Sequence, residues 1–476
     1  EGSTEDKQYD AAVAAQEDSY VNPHTTALKA APPVNDGSTA YDLSCKGMAI
    51  PVNTANCYIV NAAGRYKLPL VYGNGLKDGL INTSAYTSTK SGSNVLRTFI
   101  NHAGAEITSP YIYENAGCTP DNCTLVWQDE KDLVTNVNLS SEKLFLEFTV
   151  NQSTIRQGNA VVAVRDASGT VMWSWHIWVT DYKPGTTGTT PDKEITNHQG
   201  VHYKIMSFNL GWCDGKEETY AERTVQVRFK QKPTAGYTSA VTQTITVKQK
   251  AHTIAAELGN NVYYQWGRKD PFVGALEGIG GSSNSINKTW YDADGNVKTN
   301  QLPPISSFSY DDCIKSGIIN PNTFCTNGYM DNKYANLWSA NNTVDTPNDN
   351  PVVKTIYDPS PVGYKLPPSN VYTGFITTGQ YTSDPSQFNV QGPWNKGWNF
   401  HCGLNHSGST VFFPALGYRN LNSAVPDAVG SLAYYWTAGP YYTNFGRSLV
   451  FRPGGVYPLG SSNRVSGFVV RAAQEE

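Results

Sequence analysis

Gln157-Gly-Asn-Ala-Val-Val-Ala-Val-Arg165, Asp166-Ala-Ser-Gly169 and Val171-Met-Trp-Ser-Trp-His-Ile-Trp-Val-Thr-Asp181 are the stretches that decide the fold class. The first is a short β-branched run, the composition of a strand. The second is turn chemistry: an Asp side chain can bond its own downstream backbone, and Gly169 can take positive φ. The third returns as a strand, so 159–182 is predicted to be an antiparallel hairpin. In a strand alternate residues share a face. Trp173, Trp175 and Ile177 therefore lie on one side, and Ser174, His176 and Trp178 on the other. With bulky side chains on both faces, core packing is favoured over a sugar-stacking platform. His176 then reads as a hydrogen-bonded strand histidine, because no second His stands at metal-ligand spacing.

Outward from the hairpin the same texture persists. Leu144, Leu146, Phe148 and Val150 alternate with Lys143, Phe145, Glu147 and Thr149, a period of two with one apolar face. Beyond a Pro/Gly/Thr-rich break at 183–192, Val225, Val227 and Phe229 alternate with Gln226, Arg228 and Lys230. Lys232-Pro-Thr-Ala-Gly236 turns the chain, and Ile245 and Val247 share a face of the return strand. Short strands with Gly/Pro turns predict a β-sandwich over 41–250. Residues 1–40 are polar and aperiodic up to the breaks at Pro32-Pro33 and Asn35-Asp36-Gly37, and read as a leader or linker. Residues 251–476 show fewer strands and dense Trp and Tyr. They read as an α+β domain. Its short helix carries Ile314, with Ser309 as N-cap, Asp311 and Asp312 in the first turn, and Gly317 as the stop. Ser369 is placed as the cap of a second short helix through Phe375, and the last strands at Ser448–Phe451 and Gly467–Arg471.

The 476 residues carry 36 Lys and Arg against 40 Asp and Glu, a net charge of −4, and charged residues are 16 % of the chain. That balance argues against a nucleic-acid partner, which needs a concentrated positive field. No run of about 18 apolar residues is present to form a membrane-spanning helix. The chain starts at Glu1 without the blocks of a signal peptide, which suggests a mature or trimmed form. The eight cysteines are even in number and include no Cys-x-x-Cys pair, so a structural zinc site is not expected. Cys118 with Cys123, and Cys313 with Cys325, are spaced to close small loops, which favours an oxidising, exported environment; the alternative is eight buried free thiols in a reducing compartment.

Several of these segments carry a resemblance. Ala55-Asn-Cys-Tyr-Ile-Val60, Gly64-Arg-Tyr-Lys-Leu-Pro-Leu70 and the 157–181 stretch resemble the fimbrillin family, the subunits of type V pili. Tyr203-Lys-Ile-Met-Ser-Phe-Asn-Leu-Gly-Trp-Cys213 and Tyr263-Tyr-Gln-Trp-Gly-Arg-Lys-Asp-Pro271 are similar to segments of larger fimbrillin-type proteins. Asp358-Pro-Ser-Pro-Val-Gly-Tyr-Lys-Leu-Pro367, Phe413-Pro-Ala-Leu-Gly-Tyr-Arg419, Tyr435-Trp-Thr-Ala438 and Asn463-Arg-Val-Ser-Gly-Phe-Val-Val-Arg471 resemble the major paralogous (FISUMP) domain of secreted proteins, itself similar to C-type lectins. The resemblance implies a mainly β protein. A leader at 1–40 would precede a transthyretin-like sandwich at 41–250 and a C-type-lectin-like domain at 251–476.

It also implies a function: a cell-surface fimbrial subunit without enzymatic activity or cofactor, which accepts an extended segment from a neighbouring pilus subunit. Family subunits are lipid-anchored at the outer membrane and freed by a trypsin-like cut. Lys7 and Lys29 are the basic points of the leader, and no Arg precedes Arg65, so an Arg-specific cut or the lipidated Cys would lie before Glu1. The tail after Arg471 is only Ala-Ala-Gln-Glu-Glu, without an alternating apolar face, so a tip or accessory adhesin is expected rather than a donor. The competing readings are a glycan-binding protein with no pilus role and a carbohydrate-active enzyme.

For ligand binding the candidates are Trp394 and Trp398, Tyr435 and Trp436, and Tyr442, with Arg447 and Arg464 to hold hydroxyls or a protein ligand. Neighbouring aromatics on a strand point to opposite faces, so part of this set must be structural. Val344-Asp-Thr-Pro-Asn-Asp-Asn350 is rich in oxygen ligands, with Asp345, Asp349 and Asn350 the possible donors, but lacks Ca²⁺-loop spacing and reads as a solvated turn. No metal site is expected. Glu217, Glu218, Asp311 and Asp312 are the possible acids of a glycosidase, yet adjacency in sequence does not place two carboxylates across a bond. Gly278-Ile-Gly-Gly-Ser-Ser283 is a flexible loop with no amphipathic helix behind it.

Overall fold

The computed structural model describes residues 22–185, 190–215, 218–230, 242–254, 258–278, 285–299, 304–305, 312–326 and 333–476. The fold is mainly β, with the α-helices Pro23–Ala30 and Cys313–Ile319 among the described residues. The hairpin expected at 159–182 forms as strands Gly158–Arg165 and Val171–Val179. Its turn is tied by Asp166, whose carboxylate accepts from the Ser168 and Thr170 amides, and Gly169 takes φ 84°. All nine residues of Val171–Val179 are buried, because the strand is covered on both faces. By contrast Phe145–Val150 alternates: Leu146, Phe148 and Val150 are inside, while Leu144 precedes the strand and is exposed.

The two halves do not separate at 250. One six-stranded sheet runs Cys57–Val60, Val171–Val179, Gly158–Arg165, Asn122–Gln128, Trp290–Asp292, Val297–Lys298, so its far edge comes from the second half. A four-stranded sheet runs Lys193–Thr196, His202–Ile205, Ala473–Gln474, Tyr364–Lys365, with the chain's last strand between elements from both halves. A third sheet holds Tyr41–Asp42, Gly64–Pro69, Phe145–Val150 and Thr135–Leu139. A fourth runs Tyr264–Gln265, Gly467–Phe468, Leu416–Arg419, Ala433–Tyr441, Phe445–Arg452, Gly455–Asn463, with Pro426–Val429 beside Leu416–Arg419. One hydrophobic core reaches from Leu28 to Ala473. Residues 23–214 and 258–476 are a single unit, which corrects the expected boundary at 250/251: backbone pairing crosses it in two sheets.

Further corrections follow. The polar stretch before Tyr41 is not simply a linker: Pro23–Ala30 is a helix whose Leu28 is fully buried. The second half is richer in strand than expected, since its aromatic runs at Ala433–Tyr441 and Phe445–Arg452 are paired. Gly317 sits inside helix Cys313–Ile319 and does not end it; Asn320 does. Ser309 and Asp311 lie outside the described residues. Ser369 caps no helix; its hydroxyl bonds the Asn348 backbone, and the 3₁₀ turn Thr373–Phe375 starts after Tyr372. The strand expected over Gly467–Arg471 stops at Phe468, and a separate strand follows at Ala473–Gln474. None of the eight cysteines is bonded to another. The expected closures Cys118–Cys123 and Cys313–Cys325 are therefore not formed; Cys118 sits against the Tyr72 hydroxyl, and burial raises the Cys57, Cys123 and Cys213 thiol pKa values.

The expected strand pair at 223–249 also forms, but not as part of a sandwich. Arg223–Lys230 and Thr242–Gln249 make a two-stranded ribbon, prolonged by Glu218–Tyr220 against His252–Ile254. It belongs to a smaller unit of residues 1–22 and 215–257.

Candidate functional site

Most of the aromatic set expected to face a ligand is core. Trp436 is fully buried, donates its indole N–H to the Tyr264 carbonyl at 2.8 Å and lies 4.2 Å from the Phe468 ring. Tyr435 is equally buried, with its hydroxyl on the Pro414 carbonyl at 2.8 Å. Trp398 is 8 % exposed and reaches the Arg452 carbonyl, while half-buried Trp394 packs edge-on against it at 5.2 Å. Arg464 is buried over the Trp266 ring and donates to the carbonyls of Phe445, Tyr334 and Tyr442. Tyr435, Trp436 and Trp398 serve packing from within paired strands, and Trp394 and Arg464 do so from the loops beside them.

Tyr442 and Arg447 differ. Tyr442 is 63 % exposed and holds φ 47°, a left-handed backbone uncommon for a bulky residue. Arg464 anchors that backbone through the Tyr442 carbonyl at 3.1 Å. Arg447 lies 4.0 Å over the Tyr441 ring and donates to the Leu459 and Asp345 carbonyls. Burial lowers its pKa, against the pull of Tyr441 and Asp345. Tyr442 borders a polar cleft of about 440 Å³ shared with Ser93, Asn94, Thr343, Asp345 and Thr443. A tyrosine face beside hydroxyls, an amide and a carboxylate is chemistry that can hold a polyhydroxylated ligand. The first-half contribution, Gly92–Val95, was invisible to sequence reasoning because it lies some 350 positions away in the chain.

A second site is an open sheet edge. In the parallel pair of Cys57–Val60 with Val171–Val179, His176 donates to the Asn56 carbonyl and Thr180 to that of Val60. That phase turns the backbone groups of Tyr58 and Val60 inward and those of Cys57 and Ile59 outward. Cys57 meets Pro361 in an isolated parallel bridge, whereas Ile59 has no backbone partner on its outer side among the described residues. Beside this edge lies a groove of about 380 Å³ lined by Tyr41, Leu43, Ile59 and Val362, with Lys46 and Lys183 at its rim. Tyr41–Asp42, the first strand, is a two-residue edge element pairing only with Gly64–Pro69.

The leader's processing points separate. Lys7 lies outside the described residues. Lys29 is exposed in the last turn of helix Pro23–Ala30, with Ala31 bonded back to the Ala27 carbonyl and the Gln152 side chain on the Lys29 carbonyl. The helix is clasped by His24, which meets Asp181 at 2.9 Å and Asp214 at 3.2 Å. The Asp181 hydrogen bond raises the His24 pKa, against burial and with help from the Asp214 charge. Burial disfavours the Asp181 carboxylate, but His24 outweighs it and its pKa is lowered.

Chemistry-bearing groups elsewhere are enclosed. Lys269 contacts the Ser174 hydroxyl at 2.6 Å and Asp270 at 2.7 Å, and burial brings its pKa down to about 8 despite the carboxylate. An amine so poised beside a hydroxyl can activate a nucleophile. Here, however, Ser174 donates to Asp270 and has no exposed surface, and the neighbouring cleft encloses about 40 Å³. Asp349, from the oxygen-rich loop, accepts from Asn197, Tyr203 and Asn370, which commits it to holding backbone segments together. No cluster of metal-ligating side chains is found among the described residues. Glu217, Asp311 and most of Gly278–Ser283 lie outside the described residues, as does the Glu218 side chain; Asp312 is exposed at the start of its helix. Compared with family models, curated proteins and solved structures, the chain matches none.

Proposed function

We propose that this protein is a cell-surface fimbrial subunit, of the tip or accessory kind, that accepts an extended segment of a neighbouring subunit along the Cys57–Val60 edge. In this reading the first half is a transthyretin-like sandwich and the second a C-type-lectin-like fold. The observation that carries it is the outward-facing backbone of Ile59 beside an apolar groove. An unpaired edge is a template for a further strand: main-chain bonds give strength and alternate side chains give register. The rim lysines would meet carboxylates of the incoming segment.

The test is Ile59→Pro. Proline removes one amide, and at this position that amide is not used within the sheet, so the subunit should fold as before. The expected result is that the variant reaches the cell surface yet is missing from fibres sheared from producing cells. Incorporation at the normal level would refute the reading.

The exposed, backbone-strained Tyr442 favours a second activity for the same protein, glycan binding at the 440 Å³ cleft. Tyr442→Ala is expected to abolish binding on a glycan array while leaving fibre incorporation intact. Undiminished array binding by the variant would remove this site.

A further inference from the structure

The ribbon of the smaller unit has a composition unlike the rest of the chain. Residues 223–250 contain Arg223, Arg228, Lys230, Lys232, Lys248 and Lys250 and no Asp or Glu, a charge of +6, of which Lys248 is paired with Glu222 at 2.9 Å. The whole chain is −4, so everything outside this stretch carries −10. The ladder also sorts its side chains. Val225 faces Val247 and Val227 faces Ile245 on one surface, which Phe229 continues; Gln226 with Thr246 and Arg228 with Thr244 lie on the other. Val225, Phe229, Ile245 and Val247 are 38–45 % exposed. A two-stranded ribbon with a partly exposed aliphatic face is marginal in water by itself. Neither strand pairs with a third among the described residues.

We propose that this ribbon is a docking element for an anionic lipid surface. An aliphatic and aromatic face can enter the boundary between headgroups and acyl chains, while the cations of the opposite face and the ends engage the anionic headgroups. Nucleic acid fits less well, because its phosphates and mostly polar base edges would leave an aliphatic face of Val and Ile largely in water. The inference stands apart from the fimbrial reading and needs none of its residues.

The experiment is flotation of the full chain with vesicles of phosphatidylcholine alone or mixed with an equal amount of phosphatidylglycerol. Binding is expected to the mixed vesicles only, and to be lost as salt screens the headgroups. Two paired variants on exposed positions leave the larger unit untouched: Phe229→Asn with Ile245→Asn, and Arg228→Glu with Lys250→Glu. Each is expected to weaken binding on the order of tenfold or more. No binding to mixed vesicles at low salt overturns the proposal; cover of the ribbon by the acidic residues 1–22 would produce that result. Equal binding to neutral vesicles, or unchanged binding by both variants, overturns it as well. If the Asn variants instead change the sedimentation of lipid-free protein and not flotation, the face belongs to a protein partner and the lipid assignment is wrong.

Discussion

His176 shows how a reactive residue type becomes inert by placement. It is fully enclosed, with Nε2 2.9 Å from the Asn159 side-chain oxygen and Nδ1 3.2 Å from the Tyr264 hydroxyl. Asn159 also donates to Asp129 and to the Gly211 carbonyl, so its oxygen is free to accept. Nε2 therefore carries the proton and Nδ1 accepts from Tyr264. Burial drives the His176 pKa down to about 3. In nitrogen-15 spectra its ring should stay neutral from pH 8 down to about pH 4, whereas titration near 6.5 would show a solvent-exposed ring and contradict the enclosure. A companion test separates the two classes of aromatic. Trp436→Ala removes a fully buried indole and is expected to cost about 3–5 kcal/mol in a denaturant titration. Tyr442→Ala, at a 63 % exposed side chain, is expected to change stability by no more than about 0.5 kcal/mol. Equal losses would place both in the core. The enclosure of the 173–178 aromatics was legible from their spacing, because bulky residues on both faces of a strand leave no solvent face. Burial of Trp436 and Arg464 was not, since it depends on Tyr264, Trp266 and Phe445, brought beside them by sheet pairing.

At the scale of elements, helix Pro23–Ala30 is held by ion pairs that titrate. His24 has a raised pKa, so its contribution is full below the unfolded value near 6.5 and is lost as pH rises through the folded value. Asp181 has a lowered pKa, so its contribution is present above the ordinary carboxylate value and is lost as pH falls through the folded one. The clasp is tightest between those limits. Trypsin cleavage after Lys29 requires the last helical turn to open, so relative to an unstructured Lys peptide it should be slowest below about pH 6.5 and quicken as pH rises. A Lys29 rate that merely follows the peptide would detach the cut from the clasp. The strand hairpin at 158–179 was readable because turn residues and β-branched runs act locally. The helix was not, because His24 finds its partners Asp181 and Asp214 more than a hundred residues away.

The molecule as a whole is organised against its sequence halves. Composition changes near 250, yet Trp290–Asp292 joins the sheet of Asn122–Gln128, and Ala473 pairs with Ile205. Composition reports local texture, whereas unit boundaries follow long-range pairing, which leaves no mark in a single sequence. Fragments 41–250 and 251–476 expressed alone are therefore expected to be insoluble or to lack a cooperative melting transition. Two independently folding halves would contradict the shared core. The open edge at Cys57–Val60 is the feature on which the functional account turns, and amide hydrogen exchange reads it directly. In the isolated subunit the Ile59 amide should exchange fast while Tyr58 and Val60, bonded inward, stay protected; in assembled fibres Ile59 should become protected too. An Ile59 amide already protected in the free subunit, or still fast in the fibre, would contradict strand acceptance at this edge.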